Sequence, residues 1–255
     1  MHKTVIRVEN LNKKFRVFHE PPLTFQKTLY NLLRGKKTYE EFWALKDISF
    51  SIDRAEAVGL VGANASGKTT LLRIIANIYD PTGGSVEIYG RVASILELGS
   101  GFCMEFTGIE NLYLYGAVFG LTRREIRQKI PQITELSELN NFLDVPLRQY
   151  SSGMKMRLAF SLAVNIEPDI LLIDEMLAVG DLSFEEKCFK KVEELKEKGK
   201  TLFLVSHHMG EIERLCDRVI LLDKGEVKRI GPVQDVVREY KTIMLNRGVK
   251  NAHRY

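Results

Sequence analysis

The run Gly62-Ala63-Asn64-Ala65-Ser66-Gly67-Lys68-Thr69-Thr70 narrows the possible folds of this chain more than any other feature. It follows the apolar segment Ala57–Val61, which reads as a strand, and precedes Thr69–Ile78, which reads as a helix. A glycine-bearing loop between a strand and a helix turns backbone N–H groups inward toward an anion, and the start of the helix adds partial positive charge there. In such a phosphate loop Lys68 reaches the β- and γ-phosphates of a nucleotide, and Thr69 holds Mg²⁺. The chain is therefore expected to contain an α/β sheet with this loop at the carboxyl end of a strand.

A second segment points to the same place. Ile170-Leu171-Leu172-Ile173-Asp174-Glu175 has four apolar residues ending in two carboxylates, the pattern of a buried strand that opens onto a ligand site. With a phosphate loop upstream, Asp174 is placed in the Mg²⁺ shell, and Glu175 is placed to polarise an attacking water.

The remaining punctuation fits an alternating fold. Thr4–Val8, Ile48–Ile52, Val86–Tyr89, Val92–Leu96, Thr201–Ser206, Arg218–Leu222 and Glu226–Ile230 read as further strands. Strands alternating with helices predict a mostly parallel sheet covered by helices. Gly108–Phe119, Arg123–Leu139 and Ser152–Asn165 read as helices of an inserted helical subdomain, with Pro131 expected to kink or split the second. Phe184–Lys198 reads as a surface helix with an apolar stripe of Phe184, Cys188, Val192 and Leu195. Glu186/Lys190 and Glu194/Lys198 are favourably ordered i,i+4 pairs on it. Val233–Asn246 reads as a closing helix and 247–255 as a basic tail.

Composition removes several function classes. The 255 residues carry 37 Lys+Arg against 33 Asp+Glu, a net charge of only +4, dispersed along the chain. That balance argues against nucleic acid as a partner. No apolar run approaches the ~18–20 residues needed to span a bilayer, and Met1-His2-Lys3-Thr4 lacks a secretory apolar stretch. Cys103, Cys188 and Cys216 are odd in number and not at metal-ligand spacing, so reduced thiols are expected. A soluble intracellular protein is the expectation.

Tyr150-Ser151-Ser152-Gly153-Met154 stands directly before a helix and about twenty residues ahead of Asp174. In that position the segment resembles the signature element of the ATP-binding cassette (ABC) ATPases, Leu-Ser-Gly-Gly-Gln, departing from it at three of five positions. A Ser hydroxyl, a Gly and a helix N-terminus remain, the chemistry that caps a phosphate. The resemblance implies an ABC-type phosphate-loop core of about 1–97 and 168–232, with an antiparallel N-terminal portion. A helical subdomain of about 98–167 completes a single nucleotide-binding domain over 1–246. It implies ATP and Mg²⁺, and a head-to-tail dimer of two copies in which each signature seals the partner's ATP. Ala178-Val179-Gly180-Asp181 falls at the family's D-loop, and Ser206-His207 at its γ-phosphate-sensing histidine, with His208 adjacent. Phe15 matches the aromatic on which adenine stacks. The family normally places a Gln between core and helical subdomain; here Leu96-Glu97-Leu98-Gly99-Ser100-Gly101-Phe102 offers Glu97 as the nearest replacement, a carboxylate able to bind Mg²⁺.

The Leu-Glu-Leu-Gly-Ser-Gly-Phe stretch, the Tyr-Ser-Ser-Gly-Met signature and Asp174-Glu175-Met176-Leu177-Ala178-Val179-Gly180-Asp181 together look like the polysaccharide-export branch, whose members move O-antigen, capsule or teichoic acid. Phe42–Phe50 fits the same branch. The implied function is ATP hydrolysis driving a separate membrane permease that moves lipid-linked polysaccharide, with the chain on the cytoplasmic face of the bacterial inner membrane. Glu175, His207 and Lys68 are the implied catalytic set. Some members continue into a carbohydrate-binding domain; the chain leaves no length for one, so a naturally short member or a shortened chain is expected. Residues 16–43 form an insertion in which Phe25, Leu29, Leu32 and Leu33 share a helical face beside Lys27, Arg34, Lys36 and Lys37. It reads equally as an element touching lipid or permease and as a solvated helix. Rival readings are an importer or lipoprotein-release ATPase, and a soluble ABC ATPase acting on ribosomes or DNA. The missing Gln argues against the first; a lone phosphate loop and the short 108–165 block argue against the second.

Overall fold

The computed structural model describes residues 3–18, 39–95, 99, 101–174 and 181–252. In chain order these form β1 (Thr4–Phe18), β2 (Tyr39–Asp53), β3 (Ala57–Val61), α1 (Lys68–Ile75), β4 (Gly83–Ile88) and β5 (Val92–Ser94). The helical block follows: α2 (Gly108–Val118), α3 (Arg123–Ser137), a 3-10 turn (Leu147–Gln149) and α4 (Ser152–Asn165). The chain then returns through β6 (Ile170–Asp174), α5 (Leu182–Glu197), β7 (Thr201–Val205), α6 (Met209–Leu215), β8 (Arg218–Asp223), β9 (Glu226–Pro232) and α7 (Val233–Ala252).

Two sheets result. β2-β1-β4 is antiparallel, as expected for the N-terminal portion; the larger sheet runs β5-β6-β7-β3-β8-β9. Its first five strands are parallel and β9 closes the edge antiparallel to β8. Every residue of β3 and β7 is buried, which is why these strands read as unbroken apolar runs: a parallel sheet covered on both faces leaves no polar side.

Alternation sorts the strand residues into two cores. Leu171 and Ile173 of β6, Leu202 and Leu204 of β7, and Val219 and Leu221 of β8 face one core, which also holds Leu158 and Phe160 of α4 and Phe184 of α5. Leu172, Phe203, Val205, Ile220 and Leu222 face the other, with Leu71, Leu72 and Ile75 of α1 and Ile6, Ile48 and Ile52 of the antiparallel sheet. Full burial of each such side chain stabilises the fold by ~1.5–3 kcal/mol. The helical subdomain and α1 therefore lie on opposite faces of the parallel sheet.

Some expectations change. Pro131 lies inside α3, which runs unbroken from Arg123 to Ser137. The proline removes one donor, the partner of the Arg127 carbonyl, and both residues are exposed, so water can take its place. Helix α7 continues to Ala252, beyond the expected end at Asn246 and into the stretch read as a basic tail. Helix α6 was not anticipated, because its seven residues bury only Ile212 and Leu215. The insertion's flanks extend β1 and β2 into a long hairpin that pairs Phe15 with Phe42 and Phe18 with Tyr39. The expected helical face at Phe25, Leu29, Leu32 and Leu33 lies outside the described residues.

Candidate functional site

The carboxyl ends of β6, β7 and β3 lie side by side. Asp174 is in register with Val205 on β7, and Val205 with Leu60 on β3. Asp174 thus sits two strand spacings, ~9.5 Å, from the strand that feeds the phosphate loop. Ser206-His207 emerges between them. The parallel crossovers thereby bring the phosphate loop at 62–70 beside two motifs that lie more than a hundred residues further along the chain.

Around residues 62–67 the backbone is tightly confined. A Cβ on Gly67 would lie 2.6 Å from the Ala44 carbonyl oxygen, and its φ of +107° is one that glycine adopts readily. Ala65 also has a positive φ, 60°. The Gly225 N–H donates to the Ser66 carbonyl at 2.9 Å, and Lys46 N–H to the Gly225 carbonyl at 2.7 Å, so the β8–β9 turn and β2 brace the loop. Lys68 is 6% exposed, and its ammonium donates to the carbonyls of Gly62 at 2.9 Å and Ala63 at 3.1 Å.

The loop suits an anion. Gly67, the N-cap of helix α1, brings no side-chain cap to its first turn. By contrast, Thr107, Thr122, Ser151 and Asp181 each cap their own helix. Ser66 Oγ is buried in the loop with no hydrogen-bond partner among the described residues. Thr69 is exposed and Thr70 half-buried on the first turn of α1; Asn64 and Ala65 are on the surface. Asp174 Oδ1 is buried at the end of β6. Uncapped N–H groups, an ammonium, a hydroxyl at Thr69 and a carboxylate at Asp174 form a donor set that fits a nucleotide phosphate with a divalent cation.

Beyond β7, Ser206 is buried and its hydroxyl donates to Glu211 Oε2 at 2.6 Å while accepting from the His208 N–H at 2.9 Å. This pins the turn from within and leaves both His207 and His208 exposed; His208 is the residue that precedes α6.

The segment that resembles the signature opens α4, on the opposite face of the parallel sheet from α1. Ser151 Oγ accepts from the Met154 N–H at 3.2 Å, so Ser151 caps α4, Ser152 opens it, and Gly153 follows in its first turn. Tyr150, in the position of the family's Leu, is buried; its hydroxyl donates to the Phe142 carbonyl at 2.5 Å and burial pushes its pKa up to about 12. It therefore anchors the signature to the helical subdomain.

Asp181 caps α5 through the Phe184 N–H at 3.0 Å and accepts from Arg157 at 2.8 Å. The capping N–H, with Arg157 adding to it, holds its carboxyl below the usual range. Phe15 is half-buried on β1, edge-on to Tyr79 at 5.8 Å, with the Lys13 ammonium 5.2 Å from its ring. Glu175, Ala178, Val179, Gly180 and Glu97 lie outside the described residues. The sequence did not single out Lys13, Tyr79 or Arg157. All three meet their partners only across elements, so local spacing carries no signal for them.

The family described as ABC transporter matches residues 45–178. The chain is 45% identical over 246 residues to an O-antigen export system ATP-binding protein, RfbB of Klebsiella pneumoniae, covering 94% of this chain and 98% of that one. It is 39% identical to the teichoic acids export ATP-binding protein TagH of Bacillus cereus (strain ZK / E33L), over 94% of this chain and 43% of TagH. Among solved structures, an ATP-binding subunit of an ABC transporter superposes with a TM-score of 0.74 at 25% identity over 93% of both chains. A dimeric ATP-binding cassette bound to ADP and Pi shares the fold, with a TM-score of 0.71 at 23% identity over 89% of this chain and 98% of that one. The chain belongs to the ABC transporter ATP-binding family.

Proposed function

We propose that this chain is the ATP-hydrolysing subunit of an exporter, and that two copies close head to tail around two ATPs to drive a separate permease. The cargo is a lipid-linked polysaccharide of the O-antigen kind. The observation that carries the hydrolytic reading is the convergence of the phosphate loop, Asp174 and Ser206-His207 at the carboxyl ends of three adjacent strands. The near end-to-end likeness to an O-antigen export ATP-binding protein supports the cargo class.

Each residue then has a task. The backbone N–H groups of 62–67 and of the first turn of α1 take the phosphates, and Lys68 turns from the Gly62 and Ala63 carbonyls to the β- and γ-oxygens. Thr69 and Asp174 would hold Mg²⁺, with Glu97 as a further ligand. The cation, when bound, draws charge from the phosphate oxygens. Glu175 accepts a proton from the attacking water, while His207 donates a hydrogen bond toward the γ-phosphate. Phe15 stacks on adenine. Ser151, Ser152, Gly153 and Met154 of each copy close over the ATP held by the other, and Asp181 helps carry the D-loop between them. No helix among the described residues is long and apolar enough to cross a membrane. In this reading the chain attaches peripherally, on the cytoplasmic face of the bacterial inner membrane, through its permease.

The test is affinity purification of the tagged chain from its native membrane, with mass spectrometry of partner and glycolipid. A multi-span permease with a lipid-linked glycan is the expected result. A teichoic-acid polymer in its place would follow the TagH likeness and change the cargo. Recovery with ribosomes or nucleic acid and no membrane partner would overturn the transport reading.

A further inference from the structure

Past Asn12, where pairing with β4 ends, β1 and β2 run on as a two-stranded hairpin whose side chains alternate between two faces. On one face Lys14 stands opposite Trp43, its ammonium 5.5 Å from the ring. Phe15 stands opposite Phe42 on the other, which it shares with Lys13. Cross-strand partners hold their Cβ atoms about 4.5–5.5 Å apart, so Phe15 and Phe42 are side by side.

Tyr79 and Lys13 close one flank of Phe15. The Lys13 ammonium lies 5.2 Å from the centre of the Phe15 ring and 5.5 Å from that of Tyr79, and the two rings are 5.8 Å apart. That near-equilateral triangle puts both groups to the same side of Phe15, and Lys13 is fixed there by donating to the Asp80 carbonyl at 2.6 Å. Phe42 is left 54% exposed. It stands two residues, at most about 7 Å, before Ala44, whose carbonyl abuts the phosphate loop at Gly67.

We propose that Phe42 is a second base-binding ring, which forms with Phe15 a two-ring platform for the adenine of ATP. This rests on the reading in which Phe15 stacks on adenine, and extends it to a residue that only the strand register brings alongside. The fused rings of a purine cover both phenyls, whereas the single ring of a pyrimidine covers one. Phe42 therefore sets a preference for ATP over CTP through binding alone, away from the phosphates where bonds change. Stacking needs a π-face, so an aliphatic side chain of similar size does not replace it.

The experiment compares wild type with Phe42→Ala, Phe42→Leu, Phe42→Tyr and Phe15→Ala as full chains. Calorimetric titration gives the affinities for ATP and CTP, and phosphate release gives kcat and KM for ATP. Phe42→Ala and Phe42→Leu are expected to weaken ATP binding by about 5–30-fold, and CTP binding by less than about 3-fold. KM for ATP should rise in step while kcat stays within about 2-fold, the mark of lost uniform binding. Phe42→Tyr keeps the ring and should match wild type within about 2-fold. Unchanged ATP affinity in Phe42→Ala, equal losses for ATP and CTP, full rescue by leucine, or a fall in kcat with affinity kept would each overturn the proposal. If Phe42→Ala fails to fold, Phe42→Leu decides; failure of both to fold overturns it too, since an exposed base platform is not needed for stability. Wild-type ATP affinity in Phe15→Ala would remove the stacking role of Phe15 and the platform with it. A wild type that neither binds nor hydrolyses ATP would instead overturn the ATPase reading itself.

Discussion

Gly62 and Leu222 are in closer contact than any side chain would allow: a Cβ on Gly62 would lie 2.2 Å from the Leu222 carbonyl oxygen and 2.6 Å from Ser66 Oγ. The contact arises because β3 and β8 are paired, with Val61 opposite Leu221, so the first loop residue leaves the sheet against its neighbour's backbone. The Leu222 carbonyl is backbone and cannot rotate out of the way. Gly62→Ala is therefore expected to destabilise the fold by about 1–3 kcal/mol, as overpacked cores do. It should also displace the loop and weaken binding of a fluorescent ATP analogue by at least about 10-fold. Urea denaturation and a nucleotide titration check the two effects; an unchanged titration would show that the loop does not cradle phosphate.

Glu175→Gln should keep ATP binding and lose hydrolysis. A positioned general base contributes ~10²–10⁴-fold, and the amide cannot accept the proton. With binding intact and turnover blocked, the dimer should accumulate in ATP and elute as a larger species on size exclusion. Near-normal phosphate release would remove Glu175 from the mechanism.

The three cysteines should separate by reactivity. Burial pushes the thiols of Cys188 and Cys216 up to about 12, whereas Cys103 is only partly buried. The thiolate is the reactive form. An aromatic disulfide reagent at pH 8 should thus titrate one thiol per folded chain quickly and the other two only in denaturant. Rapid labelling of all three in the folded protein would contradict the packing of α5 and α6.

Hydrogen bonds from Lys187 and then Arg157 hold the Glu138 carboxyl below the usual carboxylate range. A depressed carboxylate adds stability that is present above its ordinary value of about 4.3 and is lost as the pH falls through the folded value. The stability gap between wild type and Glu138→Gln should therefore be full at pH 7 and close as the pH drops from 5 toward 3. Its size should stay under about 1 kcal/mol, since the group is substantially exposed. A gap that widens with acid would mean these cations do not stabilise the carboxylate.

How far each element could be read depended on the range of its cause. The bounds of β3 and α4 match those read from the sequence residue for residue, and β6 spans its apolar run and Asp174, because burial on both faces or a serine cap leaves a local mark. Helices α2 and α3 start at Thr-x-x-Glu capping boxes, formed at Thr107/Glu110 and Thr122/Glu125. Short α6 escaped notice for the opposite reason, having too few buried positions to establish a period.

The sequence by itself determined the phosphate loop, the strand ending in Asp174, the serine-capped helix behind the signature and the family they indicate. Each of these is set by residues within a turn or two of one another. The tertiary structure alone decided that β7 lies between β6 and β3, which sets Ser206-His207 between Asp174 and the loop. It alone placed the signature and α1 on opposite faces of the parallel sheet, and brought Arg157 to Glu138 and Asp181. Strand order and cross-element ion pairs are selected by contacts between residues far apart in the chain, and the periodicities of 2 and 3.6 that mark strands and helices carry no information about them.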